Sequence, residues 1–408
     1  MTVMESLATI LPASAMAEEP KDMPDADLPG SRRPDAVVRP GATEDVAALM
    51  EWATREGVGV LPIGSGRRAH PVRGDGRFVV LRTDGLAGLE TYEAADLTLS
   101  AGAGTPFGTV AAALAENAQW APFDPPRIDQ RSLGGLVANG LSGPLHMGYG
   151  ELRNHVLGLT VVTGDGRTLR LGGRVVKNVA GFDLLKAVVG SRGSLAIITS
   201  VVLRAFPVPP VDRTLYVEGA TVGELLKHAL EVGTAPVLPA SSVIVDALAA
   251  AGGRPALVVR LHGAEATVAA DQRRLEEHVG LTFRVDSGVD HAGVRDHASL
   301  GDVLLAASAR PSRLGAVLDA LDALTPTALS VDSYGGRVRA ASAVPTGEVI
   351  DSVRSRIEDV GGALRLFAPS MDGRAAELST RPRPGEQALV EGLRSAFDPG
   401  GVLWPARF

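Results

Sequence analysis

Apolar positions along this chain follow two rhythms, and the change falls at Pro207, Pro209 and Pro210. In the first half, short β-like runs alternate with single helices. Thr43 reads as an N-cap, Glu44 and Asp45 as its first turn, and Val46, Leu49, Met50 and Ala53 as a helical stripe ending at Gly57. Strands are expected at Val58–Ile63, Phe78–Leu81 and Leu97–Ala101, with an alanine-rich helix at Thr105–Asn117. Val156–Val162 and Thr168–Leu171 flank the turn residues 163–166 and read as a hairpin. Ser194–Phe206 is a long β-rich run that the prolines stop.

The second half repeats one series twice. Strands at Leu215–Val217, Ser242–Val245, Ala256–Leu261 and Leu281–Val285 enclose helices at Val222–Val232 and Glu265–Val279. Strands at Val303–Ala307, Ala328–Ser333, Arg337–Ala343 and Ala363–Phe367 enclose helices at Ser312–Leu324 and Gly347–Val360. Each series is β-α-β-β-α-β, the split-βαβ order, and two side by side predict one antiparallel sheet with helices on one face. The expected divisions are an N-terminal extension (1–34, loosely ordered through about Ser31), a first domain (35–210), a cap domain (211–383) and a C-terminal segment (384–408) that returns to the first domain.

A chain of 408 residues exceeds one typical domain. The net charge of −7, without a long basic run, argues against nucleic acid and anionic membrane as partners. No apolar run approaches the ~20 residues that span a bilayer. Leu7–Ala17 lacks the basic start of a secretory signal, so a cytoplasmic protein is expected. With no cysteine, the chain holds no disulfide, thiolate nucleophile or Cys-ligated metal.

Three glycine-rich segments carry the candidate chemistry. In the first, Ile63, Gly64, Ser65, Gly66, Arg67 and Arg68 follow a strand; the glycines let backbone amides turn inward around an anion, or make a plain turn. Gly64, Gly66 and Ala69 also match the dinucleotide fingerprint formally, with Asp84 beyond, but Pro71, Gly74 and Gly76 break the helix which that motif must open. The second runs from Arg131 to Gly150. Gly134 and Gly135 permit close backbone approach, Ser132, Asn139 and Ser142 supply short polar groups, and Gly143 and Tyr149 lie further along. Apolar Leu133, Leu136, Val137 and Leu141 are interleaved, unlike a floppy linker. The third, Gly172 to Leu195, carries a Lys177–Asn178 pair, Gly181 and Asp183 among five glycines, a composition suited to backbone wrapped around a large planar cofactor. Lys177 and Arg67 suit phosphate charge or solvent equally well.

These residues resemble the FAD-binding domain of the vanillyl-alcohol oxidase / p-cresol methylhydroxylase (PCMH) type, and within it the FAD-binding subunit of bacterial glycolate oxidase. The pattern is carried by Lys177, Asn178, Gly181, Phe182, Asp183, Leu184, Val189, Gly190, Ser191 and Gly193. It spans about residues 35–207 and returns at Phe397 to Gly401. The resemblance implies an α+β fold: a two-part FAD-binding domain plus a ferredoxin-like-repeat cap. It implies pyrophosphate on the Gly64–Arg68 loop and on Gly134 and Gly135, Ser142 and Gly143 near the ribityl chain or ring, and backbone of Ile197 or Ile198 against flavin or adenine. Arg67 stands where histidyl-flavin members carry their histidine, so FAD is expected without a covalent bond. The chain departs from relatives at His146, Asn154, Arg192, Trp404 and Ala406. His262, His291 and His297 do not reproduce the histidine-rich metal motif of catalytic relatives, so no metal is expected.

No acid–base pair emerges from the sequence. Tyr334 beside Gly335 and Gly336, or Arg337 and Arg339 on one face of a strand, are candidates to face a pocket, with an exposed sheet face as the plainer reading. Three functions remain open. One is the FAD subunit of a 2-hydroxy-acid dehydrogenase complex, with a catalytic flavoprotein subunit, an iron–sulfur subunit and contact with the inner membrane only through partners. The others are a self-sufficient FAD oxidase or dehydrogenase, and a non-catalytic flavin-binding assembly subunit.

Overall fold

The structure is a computed structural model and describes residues 2–16, 33–65, 76–173, 183–299, 303–367, 379–380 and 384–404. The first domain contains two main sheets. Strands β1 (Ala36–Val38), β2 (Gly59–Ile63) and β3 (Phe78–Arg82) form a parallel sheet in the order β1-β3-β2. The helix Thr43–Glu56 crosses between the first two and buries Val46, Leu49, Met50 and Ala53 on it. Gly57 ends that helix in the left-handed region, at φ 63°. Its N-cap is Ala42, not Thr43. Thr43 is the first helical residue, and its hydroxyl bonds the Thr199 hydroxyl at 3.0 Å instead of capping the helix.

The expectation of a loosely ordered start fails for residues 2–16. Thr2 and Glu5 form a capping box at the helix Val3–Leu7. Val3, Leu7, Leu11 and Ala15 enter the same core as Met50 and Trp52, and Trp52 Nε1 donates to Ser6 Oγ at 2.8 Å. Isolated apolar residues here pack against a helix distant in sequence, so no local periodicity announced them.

Strands β4 (Leu89–Glu93) and β5 (Thr98–Gly102) belong to the second sheet; β6 (Gln119–Trp120) lies apart. Strands β7 (Val156–Thr163), β8 (Thr168–Gly172) and β9 (Ala196–Arg204) complete it, in the antiparallel order β4-β5-β9-β7-β8. The helices Phe107–Ala115 and Leu133–Asn139 add Val110, Leu114, Leu133, Leu136 and Val137 to its core. Strand β10 (Phe206–Pro207) pairs with β6.

The cap is one antiparallel sheet of eight strands. Its first unit holds β11 (Val211–Glu218), β12 (Ser241–Leu248), β13 (Arg254–Gly263) and β14 (Arg284–Val285), and its second β15 (Val303–Ser308), β16 (Ala328–Asp332), β17 (Arg337–Ser342) and β18 (Ala363–Phe367). The order β14-β11-β13-β12-β16-β17-β15-β18 joins the units edge to edge through β12 and β16. Helices Val222–Val232, Glu265–Val279, Leu314–Leu321 and Gly347–Asp359 cover one face and share a single apolar core with it. The predicted strand from Leu281 contracts to β14, and the predicted helix Ser312–Leu324 keeps α geometry only over Leu314–Leu321, with 3₁₀ turns at both ends.

After the helix Pro384–Phe397, Asp398 accepts from the N–H groups of Val402 and Leu403, Leu403 pairs with Val60, and Trp404 stacks on Phe78 at 5.4 Å. Among the described residues, no helix is long and apolar enough to cross a membrane.

Candidate functional site

Three chain segments that are far apart in sequence converge at the end of β2. A Cβ on Gly64 would stand 2.4 Å from Ser132 Oγ, so the first and second glycine segments touch. A Cβ on Gly140 would stand 2.8 Å from Gly190 Cα, so the second and third touch as well. The contact is hydrogen-bonded: Gly190 N–H donates to Val137 O at 3.0 Å, and Arg192 N–H to Ala138 O at 2.7 Å. Gly193 closes the triangle, its Cβ position 3.2 Å from Pro62 Cγ.

The predicted residues divide by what they do here. Ile63 is a buried strand end, and Gly64 and Ser65 lead away from it toward the convergence. Ser132 caps the helix Leu133–Asn139, accepting from Gly135 N–H at 3.3 Å. Gly134 serves packing. Its N–H donates to Ala103 O at 2.7 Å and its Cβ would meet Ala103 Cβ at 2.7 Å, so Gly135, not Gly134, is the more accessible of the pair. Asn139 donates to Gly135 O at 2.8 Å, while its Oδ1 is buried with no partner among the described residues. Ser142 and Gly143 are buried, and the Gly143 backbone lies against Asp124, where a Cβ would strike Asp124 O. Tyr149 points elsewhere: its hydroxyl pairs with His262 Nδ1 at 2.8 Å, and its ring packs edge-on to Trp120 and Phe206. Ile197 and Ile198 are core residues paired with Val162 and Val161. On its other edge β9 meets β5 only from Ser200 onward, which leaves backbone at 196–198 without a second strand among the described residues. Gly66, Arg67, Arg68, Lys177, Asn178 and Gly181 lie outside the described residues.

These features fit a bound dinucleotide. The three loops approach one another through glycines, a buried amide oxygen of Asn139 and a buried hydroxyl of Ser191 lack partners among the described residues, and a strand edge is left over there. Buried polar atoms rarely go unpaired, so these two, beside the converging loops, are suited to bond a ligand.

Sequence reasoning found no acid–base pair; at the interface between the domains a buried histidine meets a carboxylate. His146 Nε2 stands 2.5 Å from Asp332 Oδ2, joining the segment after Gly143 to the end of β16. Asp332 is held in turn by Gly335 N–H at 2.8 Å, and the Tyr334 ring lies 5.9 Å from that of His146. Arg337 and Arg339 do share a face, and both turn toward the first domain: Arg337 pairs with Glu151 at 2.5 Å, and Arg339 donates to Ser142 O at 2.6 Å. Close by, Asp124 accepts from Leu145 N–H at 2.9 Å. Burial pushes its carboxyl up to about 7, against the pull of that N–H and of the Arg260, Arg339 and Arg295 charges. Farther along, burial works against the Asp212 carboxylate, but His262 and Arg260 outweigh it and hold it well below the usual range. The histidines considered for a metal have other partners: His291 meets the Thr214 hydroxyl at 2.9 Å, and His297 meets Asp246. The signal for His146 and Asp332 was faint: single residues 186 positions apart, beside a glycine run and a Gly-Gly turn.

Residues 34–172 match the family described as the FAD binding domain. The chain is 35% identical over 189 residues to glycolate oxidase subunit GlcE of Escherichia coli, covering 46% of this chain and 51% of that protein. It is 24% identical over 397 residues to glycolate oxidase subunit GlcD of Bacillus subtilis, covering 91% and 79%. The GlcE match thus spans about half of that relative's length. Among solved structures, an alkyldihydroxyacetonephosphate synthase superposes with a TM-score of 0.70 at 16% identity, over 92% of this chain and 76% of that one, which shows a shared fold. The converging glycine loops and the family match together make residues 34–172 an FAD binding domain, with FAD as its cofactor, within a chain that shares the fold of the synthase.

Proposed function

We propose that this protein is the FAD-containing subunit of a 2-hydroxy-acid dehydrogenase complex of the glycolate oxidase kind, holding FAD without a covalent bond. The observation that carries the reading is the His146–Asp332 pair, set at the domain interface beside the segment that leads from Gly143. Bound FAD supplies a two-electron acceptor for the hydrogen on the substrate's carbinol carbon. The chain's own residues have to bind, orient and move the proton. With Nε2–H donated to Asp332, His146 keeps Nδ1 as the nitrogen that takes the hydroxyl proton, and Asp332 stabilises the imidazolium that results. Arg339 fixes the Ser142 carbonyl and so ties the cap sheet to the loop around the cofactor. The residues suited to hold FAD are Gly64, Ser65, Gly135, Asn139, Ser142, Gly143 and the backbone of Ile197 and Ile198, together with Gly66, Arg67, Arg68, Lys177, Asn178 and Gly181.

Electrons have to leave. The chain contains no cysteine and so cannot ligate an iron–sulfur cluster by thiolates. A partner flavoprotein subunit and a separate iron–sulfur subunit would supply the exit, in keeping with the similarity to two different glycolate oxidase subunits. The test is anaerobic bleaching of the flavin spectrum by glycolate or D-lactate, with the chain alone and with its co-purified partners. Bleaching only in the complex is the expected result. Bleaching of the isolated chain makes it self-sufficient, and no bleaching in either state removes the dehydrogenase reading. His146→Gln and Asp332→Asn are expected to slow bleaching about 10²-fold or more without loss of FAD.

A further inference from the structure

The one-turn helix His146–Tyr149 carries the candidate base at its first position, and the cap holds it at both ends. A helix this short does not keep its own geometry in water, so its orientation comes from what it touches. At its start, His146 meets Asp332 of the second cap unit. In its middle, the Gly148 N–H donates to Ala240 O at 3.2 Å, and a Cβ on Gly148 would stand 2.8 Å from Ala240 Cα, so the helix sits directly on the backbone that opens β12. Ala240 is fixed in turn by its own N–H bond to Arg260 O at 2.8 Å. At its end, the Tyr149 hydroxyl pairs with His262 Nδ1 at 2.8 Å, on β13 of the first unit.

The grip on Tyr149 is more elaborate than packing requires. The His262 side chain is 6% exposed, and its Nε2 stands 3.1 Å from Asp212 Oδ1, directly across on β11. Arg260, two residues back on β13, donates Nε to the same oxygen at 3.2 Å and a second N–H to Oδ2. A carboxylate beside Nε2 keeps a proton on that nitrogen, which leaves Nδ1 to accept from the Tyr149 hydroxyl. The Tyr149 ring is boxed by Trp120 at 5.4 Å, Phe206 at 6.0 Å and the His262 ring at 5.7 Å, and Trp120 is pinned by its Nε1 bond to Pro207 O at 3.2 Å. Apolar contacts would fill this space equally well. A satisfied polar chain adds what they lack, a single fixed arrangement. Neither flavin binding nor the proton transfer proposed above uses any of these groups.

We infer that Tyr149 and His262 are positioning residues for His146. By tying the far end of the helix to the first cap unit, they set the height and angle at which His146 meets Asp332 of the second. Strands β12 and β16 pair edge to edge, so one continuous sheet grips both ends of the helix and fixes the distance between the grips. Removing the Tyr149 bond frees one end and lets the His146 ring swing from Asp332. A misplacement of about 1 Å at a reacting group can cost about 10²-fold in rate, and loss of one of three holds is expected to cost about tenfold. The expected rate effect rests on the dehydrogenase reading above. The mechanical coupling of Tyr149 to the His146 ring does not.

The test uses the FAD-loaded protein, in its complex where one forms, with Tyr149→Phe, His262→Leu and His262→Asn, the last of which keeps an acceptor near the position of Nδ1. Two properties are read. One is the NMR cross-peak of the His146 ring in histidine-labelled protein, assigned by its loss in His146→Gln. The other is flavin bleaching by glycolate or D-lactate, as a rate constant and a half-saturating concentration. Tyr149→Phe and His262→Leu are expected to move the His146 cross-peak while that of His297, bonded to Asp246, stays. Both are expected to slow bleaching about tenfold, with half-saturation and FAD content unchanged. His262→Asn is expected to restore most of the rate. In the His146→Gln background, Tyr149→Phe is expected to slow bleaching no further. An unmoved His146 cross-peak in Tyr149→Phe overturns the positioning role, and so does additive slowing in the double variant, because Tyr149 would then act apart from His146. Loss of FAD from Tyr149→Phe overturns it too, because the residue would then serve the cofactor. If neither acid bleaches the parent protein, the dehydrogenase reading falls and the cross-peak alone decides.

Discussion

The two β-α-β-β-α-β units of the cap share one face and differ on the other. Both lay the same kind of residue against their helices: Ile244 and Leu257 in the first unit, Val331 and Val338 in the second, all in one core. On the open side, the first unit carries Tyr216, Val243, Val245 and Val258 and covers them with Val289 and Val294 from its own chain. The second unit carries Asp332, Arg337, Arg339 and Arg365 there and meets the first domain. A repeated fold thus keeps its packing face constant. Both units touch the first domain, the first through His262 on Tyr149 and Asp296 on Arg127, but the polar groups set against His146 and Ser142 come from the second, as expected when function is grafted onto a scaffold.

The largest effect that can break this comparison is on stability. Tyr216→Ala empties a buried aromatic site in the first unit and is expected to cost about 3–5 kcal/mol, read from the urea midpoint. FAD retention in the variant that remains folded is expected to be unchanged. Arg339→Met in the second unit is expected to cost about 1.5–3 kcal/mol, the range for a hydrogen bond from a charged donor, and to lower FAD retention as well. If both variants shed FAD alike, the open faces do not divide into a structural and a functional half.

The same contrast explains what the sequence made legible. The series of strands and helices in the cap was readable because Val222–Val232 and Glu265–Val279 repeat apolar residues at helical spacing and each strand alternates or runs apolar. The loops around Gly64, Ser132 and Gly190 were readable because glycine composition survives without tertiary knowledge. His146, Asp332 and Asp124 were not readable as a site. Each is one polar residue on an element whose pattern is set by its other side, and only the packing of one domain on the other gives it a partner. The buried Leu7 and Leu11 escaped for the same reason, since their contacts lie on the helix Thr43–Glu56.

A smaller effect sharpens the comparison through pH, because groups lying against the cap sheet are displaced in opposite directions. Burial pushes the Asp124 carboxyl of the first domain up to about 7 when folded, against 3.8 ordinarily, although the Arg260 and Arg339 charges of the two units pull it down. The folded protein holds that proton more tightly, so its contribution to stability falls as pH rises from about 4 to about 7 and is level above. His291, over the first unit at Thr214, is pulled down to about 4 from 6.5, chiefly by burial and next by the Arg260 charge. The unfolded chain takes that proton first, so stability is full above 6.5 and is lost as pH falls toward 4. Asp124→Asn is expected to remove the first slope and His291→Asn the second, in melting temperatures measured from pH 4 to 8. A variant that flattened both slopes would show the two faces to be one coupled system.

The smallest expected effect comes from positions where the units are alike. The second helix of each unit carries an arginine three residues after an aspartate: Arg274 lies 3.2 Å from Asp271, and Arg354 lies 2.7 Å from Asp351. These pairs lie on the helix layer, away from either open face, and at least one partner of each is more than half exposed. Exposed i,i+3 pairs gain little, because water screens them and fixing two long side chains costs entropy. Asp271→Ala and Asp351→Ala are each expected to shift stability by no more than about 0.5 kcal/mol and to leave FAD content and acid binding where they were. A loss several times larger in the second unit alone would mean that its helix layer, and not only its open face, has been drawn into the site. Matched small losses would confine the divergence between the repeats to the face that meets the flavin domain.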